Sequence, residues 1–412
     1  MNSTLIINGT TYTLINNLPS LIAAIAANPS GTYAFANDYN AAEDGSYPHS
    51  PIPTPFNGVL EGLGNAIDKL TIYSLEDNTE NFGLFSEVGV GGQLSDVNLT
   101  NVSMQANFES EVGAFVGTNA GTINHSSSGG TIAKSVVGGG LVALNSGTIS
   151  RSRSSVNLSS AFQDGGLVGS NSGTISLSDA TGSVAGGVSG GLVGDSEGEI
   201  TDSYAQGNVA VGSNYFAAGG GLAGSNDGTV LRCFATGNVQ GELSSDAGPK
   251  KGDTAVPFTK RRKVPGLELG GLVAASEGTI QDAYATGSVL GKVELQSKPS
   301  DAGGLVGRGT QEALVQVYSL GAVSLNERHY VGGVIGYDDT PIENDNALWD
   351  LTSGIRSPDQ GAGNVFDDKG LKGFSDRQFR KAAMRKFDPT VWAESSNINN
   401  GYPYLLANPP PK

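Results

Sequence analysis

The amino-acid sequence predicts an all-β fold, a right-handed parallel β-solenoid (β-helix) with a cap containing a short helix at each end. The main observation is an internal repeat, in which GGLVALNSGTIS, GGLVGSNSGTIS and GGLVGDSEGEIT are variants of one unit. The apolar residue after the double glycine recurs at Leu141, Leu167, Leu192, Leu222 and Leu272, with Phe115 upstream in GAFVGTNAGTIN and Leu305 and Val334 downstream in GGLVG and GGVIG. A single repeat unit cannot bury an apolar face alone, whereas stacked coils can, so we expect about one coil per repeat.

A second observation is that the spacing inside the unit is more regular than the period itself. A glycine follows the apolar residue after six positions and a β-branched residue after eight, as in Gly147 and Ile149. This spacing predicts short strands separated by a tight turn. An Asn or Ser lies two positions before the glycine, at Asn119, Asn145, Asn171, Ser196, Asn226 and Ser276. In stacked coils these side chains would form a hydrogen-bonded ladder.

A third regularity is a column of small residues three positions after the β-branched residue. It contains Ser126, Ser152, Ser178, Ser203, Cys233 and Ala283. Cys233 is therefore interpreted as a buried small residue rather than a nucleophile. Because it is the one cysteine of the chain and only three histidines accompany it, an internal disulfide and a Cys/His zinc cluster are excluded.

Composition limits the partners and the compartment. The 412 residues include 24 Lys and Arg against 40 Asp and Glu, a net charge of −16. This balance argues against nucleic acid as a partner, because a phosphate backbone requires dense cationic contacts. No run of 18 apolar residues predicts a membrane span. The N-terminus MNSTLIINGT lacks a secretory signal, which indicates a fragment or a different export signal.

The repeat divides the chain into three predicted parts. Residues 1–80 form an N-terminal lead-in segment and cap, and residues 341–412 form a C-terminal cap, because a solenoid must cover its end rungs. Residues 81–340 form the solenoid, which is interrupted by an inserted loop at 241–268.

Each predicted cap contains one helix. In the N-terminal cap the helix covers Leu18–Ala27 and follows two short strands around Asn8-Gly9. In the C-terminal cap it begins after Ser375 and ends near Lys386. Its predicted apolar face contains Phe379, Ala383 and Phe387.

The repeat resembles a known family. The Gly-Leu-Val-Gly core, followed by Asn-Ser-Gly-Thr-Ile and Tyr-Ala-Thr-Gly-x-Val, is similar to the GLUG-motif repeat. PFNGVLEGLGNAIDKLTI resembles the opening segment of such proteins, and LWDLTSG and INNGYPYLL resemble their closing segment. The resemblance implies a large secreted bacterial protein of the filamentous-haemagglutinin-like adhesin type. It brings no catalytic motif.

Two groups of charged residues fall at equivalent positions of successive repeats. Glu197, Asp227 and Glu277 would lie about 4.8 Å apart along the stack, where they would either bind a hard cation such as Ca²⁺ or form a solvated acidic corner; the corner is favoured. Asp202 and Asp282 would be two rungs apart with Arg232 between them, which favours an ion ladder over a pair of catalytic carboxylates.

Two further groups are candidate ligand-binding residues. Aromatic residues follow the small column at Tyr204, Phe234, Tyr284 and Tyr318. If they face outward they would stack on sugar rings, and if they are buried, which we favour, they would stack on one another. The insert carries Lys260, Arg261 and Arg262, which are interpreted as part of a solvated loop or, if functional, as a contact to an anionic surface or glycan.

The sequence therefore indicates a non-catalytic, secreted or cell-surface adhesin or stalk segment that binds glycans or cell-surface proteins. No catalytic residue is assigned, and no cofactor is expected apart from the candidate Ca²⁺. One alternative is a polysaccharide lyase or glycoside hydrolase of β-helix type. Another is a structural filament or scaffold subunit that self-associates through its ends.

Overall fold

The computed structural model describes residues 4–74, 81–106, 110–160, 162–213, 216–244, 266–294, 299–310, 313–326, 330–339, 345–353, 355, 357–367 and 369–411. The chain divides into two compact units, Met1–Ser183 and Val184–Lys412. Each unit is built from parallel strands stacked coil upon coil, so the predicted parallel β-solenoid is confirmed.

The first unit begins with the elements that the sequence predicts. Strands Thr4–Ile7 and Thr10–Ile15 pair antiparallel around Asn8-Gly9, both of which have positive φ. The helix Leu18–Ala27 starts at Asn17, whose side chain accepts a hydrogen bond from the Ser20 amide at 2.8 Å. The lead-in strands then follow at Thr32–Phe35, Tyr39–Asn40, Ser46–Tyr47, Val59–Glu61, Ala66–Asp68 and Thr71–Tyr73, with a 3₁₀ turn at Ala41–Asp44.

Each later coil of the first unit contributes to three sheets. The strands that lead to the double-glycine position, which is Gly83-Leu84 and Gly113-Ala114 in the first two cases, are Asn81–Phe82, Glu111–Gly113, Val137–Gly139 and Gln163–Gly165. The strands after it are Phe85–Val88, Val116–Asn119, Val142–Asn145 and Val168–Asn171. The remaining sheet contains Gln93–Ser95, Asn98–Gln105, Thr122–Asn124, Ser127–Ala133, Thr148–Ser150, Arg153–Ser159, Thr174–Ser176 and Asp179–Ala180.

The second unit repeats this arrangement. The strands that end at the double glycine are Val188–Gly190, Phe216–Gly220, Gly266–Gly270, Asp301–Gly303 and Tyr330–Gly332. Those after it are Val193–Ser196, Ala223–Asn226, Val273–Ser276, Val306–Gly309 and Ile335–Asp338. The remaining sheet contains Val184–Gly186, Glu199–Thr201, Tyr204–Ala205, Val209–Ser213, Thr229–Leu231, Phe234–Ala235, Val239–Leu243, Thr279–Ala285, Val289–Val293, Ala313–Ser319, Val323–Leu325, Asp345–Asp350 and Leu371–Phe374.

The insert and the C-terminal segment depart from this pattern. The insert follows strand Val239–Leu243 and precedes strand Gly266–Gly270. Thr229 still pairs with Thr279, so the coil register is kept although the two residues are 50 positions apart. The last coil is followed by a 3₁₀ turn at Leu351–Ser353. The C-terminal segment, residues 375–408, then contains the helix Asp376–Lys386, the antiparallel strands Trp392–Ala393 and Tyr404–Leu405, and a 3₁₀ turn at Asn399–Gly401.

The double glycine is required by close backbone contact between coils. A Cβ atom on Gly140 would lie 2.0 Å from the carbonyl oxygen of Gly166 in the next coil and 2.2 Å from Ser154 Oγ. A larger residue at Gly140 would therefore require the backbone to move, whereas the preceding coil accommodates Ala114 at the equivalent position.

A column of residues with left-handed backbone conformation produces the bend between the small column and the preceding strand. These residues lie two positions after the β-branched residue, and their φ angles are between 46° and 51°. They are His125, Arg151 and Leu177 in the first unit and Asp202, Arg232, Asp282 and Gln316 in the second. Most of these residue types rarely adopt this conformation, so the stacked coils impose it.

The predicted polar ladder is present in both units. Asn119 Nδ2 donates to Asn145 Oδ1 at 2.7 Å, and Asn145 Nδ2 donates to Asn171 Oδ1 at 2.8 Å. In the second unit Asn226 Nδ2 donates to Ser276 Oγ at 3.2 Å. The ladder side chains are almost entirely buried, so each amide depends on its neighbour.

We expect Asn145→Ala to lower the free energy of unfolding by about 2–3 kcal/mol, because it leaves two buried amides without their partners. Asn145→Ser should cost clearly less, since Ser276 already fills an equivalent rung. Urea unfolding of the wild type and both variants measures the difference. Equal stability of the three proteins would contradict a stabilising role for the ladder.

Candidate functional site

Four aromatic side chains form a continuous stack in the second unit, named the aromatic column. Tyr204 and Phe234 are parallel at 4.7 Å between ring centroids, and Phe234–Tyr284 and Tyr284–Tyr318 are each stacked at 4.9 Å. The rings pair in register because Phe234 and Tyr284, and Tyr284 and Tyr318, are directly opposite on neighbouring strands. Successive repeats therefore place one ring above the next at the coil spacing.

The C-terminal segment covers the end of this column. Phe379 packs edge-on against Tyr318 at 5.5 Å, and Trp392 lies 5.7 Å from Tyr318 and 6.0 Å from Tyr284. Phe387 completes the cluster, in which Phe379 and Trp392 are also buried. The apolar face predicted for the C-terminal helix is thus confirmed, and the aromatic column is what it packs against.

Hydrogen bonds attach the same segment to two coils. Trp392 Nε1 donates to Asp282 Oδ1 at 2.8 Å, and Asn399 Nδ2 donates to Tyr318 Oη at 2.7 Å. Both acceptors are buried. Because these bonds are made away from solvent, they fix the position of the segment as well as adding to its stability.

The accessibility of the column limits what it can bind. Phe234, Tyr284 and Tyr318 are fully buried, and Tyr204 alone among the four keeps exposed surface. Their predicted role in glycan binding stays a prediction, and in this conformation it falls on Tyr204. The sequence placed the rings in one column but did not reveal the covering segment. The spacing of Phe379, Ala383 and Phe387 did indicate an apolar helix face that must pack against another element.

The predicted ion ladder is present only in part. Arg232 Nε and Nη2 donate to the two carboxylate oxygens of Asp202 at 2.6 and 2.8 Å. The hydrogen bond that Arg232 donates to Asp202 raises the pKa of Arg232 above its ordinary value. Asp282 does not complete the ladder in the same way, because Trp392 and Gln281 donate to its oxygens. The indole was not foreseen, since it belongs to a residue 110 positions away.

The acidic corner has the register that the sequence predicts. Glu197, Asp227 and Glu277 are all exposed. Within the described ranges, no three His, Cys, Asp or Glu side chains converge as metal ligands. Ca²⁺ binding at this corner remains a prediction.

The remaining predicted residues have contrasting positions. Cys233 is buried, as expected, and its thiol contacts the carbonyl oxygens of Leu231 and Ile200 at 3.3 and 3.5 Å. Burial raises the pKa of this thiol to about 12, so it is not a nucleophile near neutral pH. Lys260, Arg261 and Arg262 lie outside the described residues.

One charged network was missed at the sequence level. Glu268 and Asp301 are opposite each other on adjacent coils beside the insert, and both are buried. Arg308 contacts Asp301 at 3.2 Å and Asp339 at 2.6 Å. Burial would lower the pKa of Arg308, but the neighbouring carboxylates outweigh it and the pKa is raised.

The same guanidinium lies over an aromatic ring, 4.4 Å from the centroid of Tyr337. Tyr337 in turn meets Tyr330 edge-on at 4.7 Å. The equivalent positions of other coils hold mixed residue types, so periodicity held no signal for this network. Examples are Val137 and Ala218 in the Asp301 column and Leu144 and Ala275 in the Arg308 column.

Comparison with known proteins gives two partial matches. Residues 8–134 match the family described as the M26 IgA1-specific metallo-endopeptidase N-terminal region. A stretch of 86 residues is 36% identical to halomucin of Haloquadratum walsbyi, which covers 21% of this chain and 1% of that protein. The chain thus spans a very small part of the curated relative. Among the described residues, no helix is long and apolar enough to cross a membrane.

Proposed function

We propose that this chain is a non-catalytic segment of a larger secreted or cell-surface protein, in which the β-solenoid acts as a rigid stalk and glycan-binding surface. The observation that carries the proposal is that the coils stack in register, held together by the buried ladder and the buried aromatic column. Exposed side chains at equivalent positions, such as Glu197, Asp227 and Glu277, therefore recur from coil to coil and produce an extended regular surface, as in repeat proteins that bind through one face.

The comparisons support a surface role without specifying it. The name halomucin denotes a mucin, and the match to the M26 family lies in that family's N-terminal region. The sequence contains no H-E-x-x-H zinc motif, so it carries no basis for peptidase chemistry of that kind. We propose a GLUG-type adhesin as the finer assignment, on the repeat residues described above.

The proposal is tested by incubating the protein with acidic and neutral polysaccharides and measuring both the bound fraction and the chain length of the polysaccharide by mass spectrometry. We expect binding with unchanged chain length. Shortened chains would overturn the non-catalytic assignment. If the protein neither binds nor cleaves any of the polysaccharides, glycan binding is overturned and a scaffold role becomes the better explanation.

A second candidate function, a polysaccharide lyase or hydrolase, is favoured by one observation. Glu268 and Asp301 are carboxylates on adjacent coils next to a long insert and an arginine. Burial and the ion pair with Arg308 argue for a structural role instead. If the polysaccharide were shortened, Glu268→Gln and Asp301→Asn should each abolish cleavage while binding persists. Retained cleavage would exclude this pair as its origin.

A further inference from the structure

The C-terminal helix Asp376–Lys386 carries an unusual charge for this protein. Its sequence DRQFRKAAMRK contains five of the chain's 24 Lys and Arg but one acidic residue, whereas the whole chain has a net charge of −16. A concentrated positive charge on an acidic protein attracts anions to that part of the surface.

Three of these cations form a solvent-facing stripe, named the basic stripe. Arg377, Lys381 and Arg385 are four residues apart and exposed, about 6 Å between successive positions along the helix axis. No ion pair or hydrogen bond joins their side chains to another described residue. Arg380 differs, because it pairs with Asp376 at 3.3 Å and lies 4.6 Å over the Tyr402 ring.

The opposite face of the helix is buried. Phe379 and Ala383 are fully buried against the aromatic column, and Phe387 at the C-cap joins them. An amphipathic helix that binds a lipid surface needs a free apolar face to insert. The apolar face of this helix is already buried, which holds the helix itself in place and disfavours the lipid explanation.

We propose that the basic stripe is a binding site for linear acidic polysaccharides. The proposal rests on the proposed surface function and names the ligand class. Carboxylates or sulfates along an extended chain match a row of guanidinium and ammonium groups, and Arg377 and Arg385 each offer a fork that binds an oxyanion through two hydrogen bonds. The charge of the rest of the protein repels nucleic acid, whose phosphates are denser.

The test compares wild type with the triple variant R377Q/K381Q/R385Q, using polygalacturonate as acidic probe and dextran as neutral probe. We expect the triple variant to bind polygalacturonate at least about tenfold more weakly at low ionic strength. Wild-type binding should weaken as salt is added. Binding to dextran should be the same for both proteins. Unchanged thermal unfolding shows that the helix remains folded.

Two control variants remove cations elsewhere. K134Q/R151Q/R153Q removes three exposed cations from the first unit and should leave binding unchanged. K260Q/R261Q/R262Q removes three of the six cations of the insert. If this second variant loses binding while the helix variant keeps it, the basic stripe is not the site.

Three other results would overturn the proposal. The first is an equal loss of polygalacturonate binding in the helix variant and in the first-unit control. The second is binding to anionic phospholipid vesicles, in place of polygalacturonate, that depends on the basic stripe. The third is self-association in sedimentation velocity that depends on the basic stripe. If the wild type binds no polysaccharide of either kind, the proposed function itself fails. Wild-type binding that survives in the helix variant overturns the stripe alone.

Discussion

Asp164→Asn should make the first unit more stable at pH 8 than the wild type, by as much as about 4 kcal/mol, and should change its stability little at pH 4. Asp164 is completely buried on strand Gln163–Gly165. Ser160 Oγ donates to its Oδ2 at 2.5 Å, while Oδ1 has no hydrogen-bond partner among the described residues. A buried carboxylate with one such bond is costly to ionise.

The direction of this pH dependence follows from the raised pKa of Asp164. Burial raises the pKa of Asp164 from 3.8 to about 7, against the smaller opposing effect of Ser160. The folded state therefore keeps its proton at pH values where the unfolded chain has lost it. The contribution of Asp164 to the free energy of unfolding is fully present below pH 3.8 and is lost as the pH rises through about 7. Asparagine cannot ionise, so the variant should lack this loss.

The measurement is urea unfolding of both proteins between pH 4 and pH 8. Other carboxyl groups also contribute to the pH dependence, so the informative quantity is the difference between variant and wild type at each pH. Glu87→Gln, a neutralisation of an exposed residue in the same unit, serves as the control. A difference for Asp164→Asn that does not grow with pH would contradict an ionisation cost at this site.

Tyr284→Ala should lower the free energy of unfolding of the second unit by about 3–5 kcal/mol. Tyr284 is fully buried in the middle of the aromatic column, between Phe234 and Tyr318, and contacts Trp392 of the C-terminal segment. Removing its ring leaves a cavity at the point where coil and segment meet. Local unfolding of residues 375–408 should also become easier, as measured by hydrogen exchange of the helix amides.

Tyr284→Phe separates the ring from its hydroxyl. Among the described residues, no partner lies within hydrogen-bonding distance of the Tyr284 hydroxyl, and its burial raises the pKa well above the ordinary value. We therefore expect the Phe variant to be as stable as the wild type or more stable by about 1 kcal/mol. A large loss in the Phe variant would show that the hydroxyl, rather than the stacked ring, stabilises this cluster.

Much of the fold was predictable because the evidence for it is local and repeated. The double glycine, the Asn or Ser two positions before the turn glycine, and the small column each recur at a constant offset, so stacking them required no knowledge of distant contacts. The helices were also accessible from the sequence, the first as Leu18–Ala27 and the second from Ser375 as its start and the spacing of Phe379, Ala383 and Phe387.

The candidate site was less predictable, because its geometry depends on pairs far apart in the chain. Trp392 donates a hydrogen bond to Asp282, which is 110 positions away, and Asn399 donates one to Tyr318, which is 81 positions away. Asp164 also carried no periodic signal, since Val112 and Gly138 occupy its position in the two preceding coils. Arg308 carried none because its column has no consistent residue type, as Ser225 and Ala275 show.

The sequence by itself determined that this protein is a parallel β-solenoid, which residues share a column, and which face of the C-terminal helix is apolar. Only the tertiary structure decided that the aromatic column is covered, that Asp282 accepts from an indole instead of extending the ion ladder, and that the C-terminal helix turns Arg377, Lys381 and Arg385 toward solvent. The physical reason is that periodicity specifies positions along a coil. The surroundings of a side chain depend on which distant segment buries the most apolar surface against it.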